Sequence, residues 1–291
     1  MHPAPSLIVF TVLSGLGFGL LAFLGLGLPA PTGWAAFWLF GLGYALAGTG
    51  LVAAAFHLGH PERALRAFTQ WRTSWLSREA VLSVAALLAM APHAAGSVFL
   101  GQPLPLLGAV AAVLCALTVL ATAMIYAQIR AVPRWHHWTT PAVFLAAAAS
   151  GGALLAGLGG VAAGALVVLA AAMALHWAAG DGRRRQPGST PETATGLGFL
   201  GRVRLLAPPH TGTNYLLREM VHVVGRRHAA RLRVLALGLG VAVPLALLAV
   251  PGGGWPLALA AAVVHAVGMA AARWLFFAEA EHAVGLYYGR R

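Results

Sequence analysis

The chain has 291 residues, 59% of them hydrophobic, and a formal net charge of +12; its mean hydropathy is +0.79. Uncharged stretches of roughly twenty residues recur from end to end, the length a helix needs to cross about 30 Å of hydrocarbon. This excludes a soluble enzyme and a nucleic-acid-binding protein, and assigns the positive charge to membrane topology and a protein partner. The apolar material suffices for about eight spans, so the expected fold is all-α, a polytopic membrane protein with eight transmembrane helices in one bundle and no separate soluble domain. All 19 basic residues are Arg. The lone Cys115 excludes an intramolecular disulfide and, without companions, a cysteine-ligated iron–sulfur cluster.

After a short start, span 1 covers about Leu7 to Leu28 and is rich in glycine, which lets helices approach closely in lipid. It is taken as a retained span, since it lacks the cationic start of a signal peptide. Span 2 covers about Trp34 to Leu58. From Pro61, the residues Ala64, Leu65, Phe68, Trp71, Trp75 and Leu76 recur at three- and four-residue spacing, which predicts a helix lying in the interface. Ser77 is placed as the N-cap of span 3, about Arg78 to Phe99. Span 4 covers about Leu104 to Ala127, and an aromatic loop with Arg134, Trp135 and Trp138 follows. Spans 5 and 6 must both fit between about Thr140 and Trp177, turning at Gly157 to Gly160. A basic loop at about 180 to 230 includes a short helix from Asn214 to His228, and spans 7 (about Leu232 to Val250) and 8 (about Trp255 to Phe277) close the bundle.

Every Arg and all 7 acidic residues fall in or beside the loops after spans 2, 4 and 6 and in the C-terminal tail. The loops after spans 1, 3, 5 and 7 carry none. Positively charged loops stay in the cytoplasm, so both termini and the charged face are expected on the cytoplasmic side of a bacterial inner membrane.

The stretch Phe56 to Ala80 sets a histidine and a carboxylate at the inner ends of two successive spans, joined by an arginine-bearing link. It reads as the floor of a quinone pocket, because a quinone that takes up two electrons also takes up two protons. His57 and Glu79 are the candidate proton carriers; Trp75, Arg78 and Arg273 are further candidate pocket residues, and quinone is expected between spans 2, 3 and 8. Each has a plainer reading beside it. His57 can cap span 2, Glu79 can answer the free N–H groups of a helix start, and Arg273 can snorkel to the interface. A carboxylate at lipid depth needs a partner, for which Arg78, Arg273 and His57 are available. Trp71, Trp75, Trp135 and Trp138 suit interfacial anchors.

His57-Leu58-Gly59-His60-Pro61-Glu62-Arg63-Ala64, followed by Ser74-Trp75-Leu76-Ser77-Arg78-Glu79, resembles the membrane-anchor subunit family of dimethyl sulfoxide reductase. Val132-Pro133-Arg134-Trp135, Trp138-Thr139-Thr140-Pro141 and Arg273 with Phe276-Phe277 extend the resemblance over most of the chain. It implies an eight-helix anchor that holds a molybdopterin catalytic subunit and an iron–sulfur electron-transfer subunit on the membrane and exchanges electrons with quinone, either ubiquinone or menaquinone. His57 and Glu79 match family positions associated with quinol handling. The reductase type is associated with the opposite placement of its termini, however. The opening MHPAPS and the long basic segment before span 7 look more like the branch anchoring cytoplasm-facing sulfite dehydrogenases, which would pass electrons from sulfite to quinone.

His93 and His265 could reach similar depths, as two axial haem ligands must, but polar packing between helices accounts for them and haem is not expected. Arg183, Arg184, Arg185, Arg226 and Arg227 are candidates for docking the partner subunits, with anionic lipid as a further contact. No metal-ligand spacing, nucleotide loop or nucleophile constellation is present. The alternatives are a quinol-oxidising anchor of a sulfoxide reductase-type enzyme and, from another class, a transporter, whose site would sit near the midplane on broken helices.

Overall fold

The computed structural model describes residues 3–56, 60–185, 189–207, 209–210, 212, 214–220 and 228–289, and among them there is no strand. Among the described residues, eight apolar helices form the bundle: α1 Pro5–Gly25, α2 Gly33–Ala55, α3 Trp75–Ala95, α4 Pro105–Ala127, α5 Thr139–Leu155, α6 Gly159–Arg185, α7 Ala229–Leu237 with its continuation Val243–Leu248, and α8 Gly254–Ala278. Seven of these are long and apolar enough to cross a membrane, and α5, with 17 residues, is shorter. The ends of α5 nevertheless lie at opposite ends of the bundle. Thr139 bonds His176 near the close of α6, whereas Gly157, just past α5, lies against Trp255 at the start of α8.

The bundle is arranged around α1, which packs on α2, α3, α4, α5 and α8. The glycines of α1 make this possible. A Cβ at Gly19 would collide with the Ala148 carbonyl of α5, and one at Gly17 with the Ala47 backbone of α2. In lipid, where apolar side chains gain nothing by leaving their solvent, such backbone approach is a main source of helix association.

Several boundaries differ from the sequence reading. Ser74, not Ser77, caps α3, its hydroxyl accepting from the Ser77 N–H; both serines precede the apolar run, but Ser74 has the extended backbone of a cap and Ser77 is already helical. The helix expected from Pro61 is present as a 3-10 helix, Pro61–Phe68, and ends before Trp71. The turn at 157–160 lies where it was expected, but α6 runs on to Arg185, past Trp177. Of the short helix expected from Asn214, Tyr215–Met220 is helical, and 221–227 lie outside the described residues.

One irregularity matters for chemistry. A π turn, Gly238–Ala242, interrupts α7 just before Pro244. Proline has no N–H to give to the carbonyl four residues back, here that of Gly240. This carbonyl instead accepts from His265 Nδ1 of α8 at 2.7 Å.

Candidate functional site

Glu79 lies in the second turn of α3, at the end of the bundle where the charged groups collect, and is only 5% exposed. Its Oε1 accepts a hydrogen bond from Thr122 Oγ1 of α4, so the partner is a hydroxyl and not one of the cations expected from sequence. Thr122 Oγ1 also lies 3.1 Å from the Thr118 carbonyl, a second acceptor. One hydroxyl carries one proton, so both contacts are satisfied together only when the carboxyl contributes a proton of its own. The pair therefore suits a carboxyl that gains and loses a proton.

Tyr126, one turn along α4 from Thr122, lies within electrostatic reach of both Glu79 and Arg273. Arg273 is 5% exposed and is set with its guanidinium carbon 3.4 Å from the ring centroid of Phe144. It does not snorkel, and among the described residues it has no ion-pair partner. Its route to Glu79 crosses α4 and α5, because α8 packs on α7, α1 and α5 while α3 packs chiefly on α4. The sequence expectation of a pocket between spans 2, 3 and 8 is corrected accordingly: α1, α4 and α5 intervene.

Trp75 and Arg78 sit on the outer side of α3. The Arg78 guanidinium lies 4.4 Å over the Trp75 ring and donates to the carbonyls of Trp71 and Arg72 at 3.0 and 2.7 Å. It thereby ties the link after α2 to the start of α3. His57 lies outside the described residues, as do Arg226 and Arg227; of Arg184 and Arg185 only the helical backbone is described. Arg183 donates to the carbonyls of Pro133 and His136, bracing the loop between α4 and α5.

A second group of charges was not anticipated from sequence. Arg134 pairs with Asp181 at 2.8 Å and with Glu279 at 3.4 Å, while Arg233 pairs with Asp181 at 2.7 Å and with Glu279 at 2.6 Å. Arg134 and Glu279 are 7% and 6% exposed. The network fastens the loop after α4 to the end of α6, the start of α7 and the end of α8. No metal-binding cluster of His, Cys, Asp or Glu occurs among the described residues. His93 and His265 are set apart: His93 bonds the Leu104 carbonyl at 2.9 Å near Gly108 and Gly25, whereas His265 lies by Gly151 and Leu16. Gly25 and Leu16 are nine residues apart on α1, about 13 Å at helical rise.

These features define an integral membrane protein of the polytopic α-helical class, with its described arginines and carboxylates gathered at one end. The chain belongs to the DMSO reductase anchor subunit (DmsC) family, whose model matches residues 1–176, the part holding Glu79, Thr122 and Tyr126. It is 34% identical over 325 residues, 99% of each chain, to the C subunit of the sulfite dehydrogenase of Allochromatium vinosum. No solved structure matches it.

Proposed function

We propose that this chain anchors an iron–sulfur electron-transfer subunit and a molybdopterin catalytic subunit on the cytoplasmic face of the membrane and passes electrons from sulfite to the quinone pool. The carrying observation is the buried Glu79–Thr122 pair at the charged end of the bundle, with Tyr126 one turn further along α4 and Arg273, without an ion-pair partner among the described residues, on the cavity that Thr122 also lines. A bound quinone would accept two electrons from the docked iron–sulfur subunit and two protons from the protein. Glu79 delivers a proton and is reprotonated from the interface near Trp75 and Arg78. Arg273 supplies fixed positive charge where reduced oxygens carry negative charge. His57 is the second proposed proton carrier.

The distribution of charge supports eight crossings with both termini in the cytoplasm, since the described arginines lie at one end of the bundle. Docking is supported by the segment around Gly198–Leu200, where Phe199, Leu200 and Leu206 are exposed with Arg202 and Arg204 among them. Arg183, at the end of α6, and Arg184, Arg185, Arg226 and Arg227, by their place in the basic stretch of the sequence, are the further proposed docking contacts. With quinone taking protons on the side where sulfite oxidation releases them, turnover would move no net charge across the membrane.

The test is sulfite-dependent reduction of a water-soluble quinone by the complex purified through this chain, compared with Glu79→Gln. Loss of quinone reduction with molybdenum and iron retained is expected. Full activity in the variant would place the quinone chemistry elsewhere. The family name favours a second reading, a sulfoxide reductase anchor in which the same groups take protons from quinol; reduction of dimethyl sulfoxide by added quinol, without sulfite activity, would establish it.

A further inference from the structure

Deeper in the bundle than Glu79 lies a small cavity of about 20 Å³ between α1, α4, α5 and α8. It is lined by Thr11, Ser14, Thr122, Arg273 and His265 among apolar neighbours. A quinone head is far too large for it, but about one water fits such a volume. His265 stands at the middle of α8, eight residues and about 12 Å of helix from Arg273, and is 0% exposed. Its Nδ1 faces the Gly240 carbonyl, which can only accept, so Nδ1 carries the proton and Nε2 presents a lone pair. Nε2 is buried and makes no well-formed hydrogen bond among the described residues, although the Ala147 carbonyl also faces the ring; a carbonyl offers no proton, so a lone pair there stays unanswered. An orphaned acceptor in this setting costs roughly 1–3 kcal/mol, which a water donating to it removes.

We propose that this cavity holds an ordered water and forms an internal proton relay, in which the Thr122 hydroxyl links Glu79 to the water and His265 Nε2 is the deep acceptor. Among the described residues, Thr122 alone both bonds Glu79 and lines the cavity. A proton leaving Glu79 passes to the Thr122 oxygen as the hydroxyl releases its own proton to the water. The water in turn protonates Nε2, and the reverse sequence returns the proton. No electron moves, and the charge gained by His265 is the charge lost by the carboxyl. The groups facing His265 are the Ser14 hydroxyl from α1, the Gly240 carbonyl from α7, the Ala147 carbonyl from α5 and Arg273 on its own helix. Quinone reduction needs two protons in quick succession; once Glu79 has passed one inward and been reprotonated from the interface, Glu79 supplies the first and the proton held on His265 returns to supply the second.

This inference rests on the proton-handling reading of Glu79. Its test compares Thr122→Val, which keeps the shape and removes the hydroxyl, with Thr122→Ser, which keeps the hydroxyl, in the whole complex. Roughly tenfold slower quinone reduction with a larger solvent deuterium isotope effect is expected for Thr122→Val, and near-normal behaviour for Thr122→Ser. Wild-type rate and isotope effect in Thr122→Val would overturn the relay. If Glu79→Gln is also silent, it is the quinone-site reading that has failed; if Glu79→Gln is inactive, the relay alone has. A structure of the complex at water-resolving resolution decides independently of turnover. Density within hydrogen-bond distance of His265 Nε2 is expected, and a dry cavity overturns the proposal.

Discussion

At the end of the bundle where α3 begins and α8 finishes, two groups of buried and half-buried charge stand on opposite chemical terms. In one, all four carboxylate oxygens of Asp181 and Glu279 receive guanidinium N–H groups from Arg134 or Arg233. In the other, Glu79 meets a hydroxyl, and Arg273 meets an aromatic ring and a cavity. Desolvating a charge costs several kcal/mol, recovered only when its partners are well placed. The first group meets that condition at every carboxylate oxygen and serves as a clamp, although among its described guanidinium nitrogens Arg233 Nε is left buried without a partner. The second leaves a carboxyl and a cation with capacity to spare, which a permanent structural pair would not do and a site exchanging protons with a ligand must.

The comparison is broken most severely through the clamp. Glu279→Ala leaves Arg134 and Arg233 sharing one carboxylate, and the expected cost is about 3–5 kcal/mol, read as a lowered unfolding midpoint of the purified protein in detergent. Quinone reduction per folded complex should be unchanged. Glu79→Gln is the converse. It keeps a hydrogen-bonding side chain of the same size, so the unfolding midpoint should hardly move, while quinone reduction falls roughly a hundredfold. If both variants lost stability and activity together, the division into clamp and site would be wrong. Gly19→Ala attacks what the two groups share, the axial helix α1. A Cβ there meets the Ala148 carbonyl, and crowding that cannot be relieved by a flexible side chain costs about 1–3 kcal/mol, again in the unfolding midpoint.

The spans, the gathering of charge at one end and the carboxylate of Glu79 were legible in the sequence because each is local. Twenty apolar residues in a row, or an acid at a helix start, can be recognised without knowing what they face. The partners were not legible. Thr122 sits within Thr118-Val-Leu-Ala-Thr-Ala-Met, where a threonine can equally bond its own helix, as Thr118 does with the Leu114 carbonyl. The clamp draws on positions 134, 181, 233 and 279, and no short-range pattern couples them. Arg273 was legible as a cation near the end of span 8, read either as snorkelling or as a partner for Glu79; its burial against Phe144 depends on the order in which helices pack, which hydropathy does not encode. The Gly240, Pro244 and His265 relation had a readable half, since a proline frees a carbonyl four residues earlier; the histidine that uses it lies on another helix.

The smallest expected effect lies in the loop that links the two regions. His137 bonds Thr139 at 2.8 Å, and Thr139 in turn contacts His176. Partial burial, with the Arg183 guanidinium and then the His136 ring as neighbours, holds the His137 imidazole below its ordinary value of 6.5. The folded state therefore prefers the neutral ring, and the unfolded chain binds more protons just below that value. This contribution is intact above about pH 7 and is lost as the pH falls through the unfolded histidine range. His137→Gln should flatten the fall in unfolding midpoint between about pH 7 and 5. Arg183→Ala should lower the midpoint at all pH values, by about 1 kcal/mol for the carbonyl bonds it gives up, and should also reduce the acid slope by removing a positive neighbour. An unchanged slope in both variants would mean that the loop is held by Arg183 alone and that the ring takes no part in fastening it.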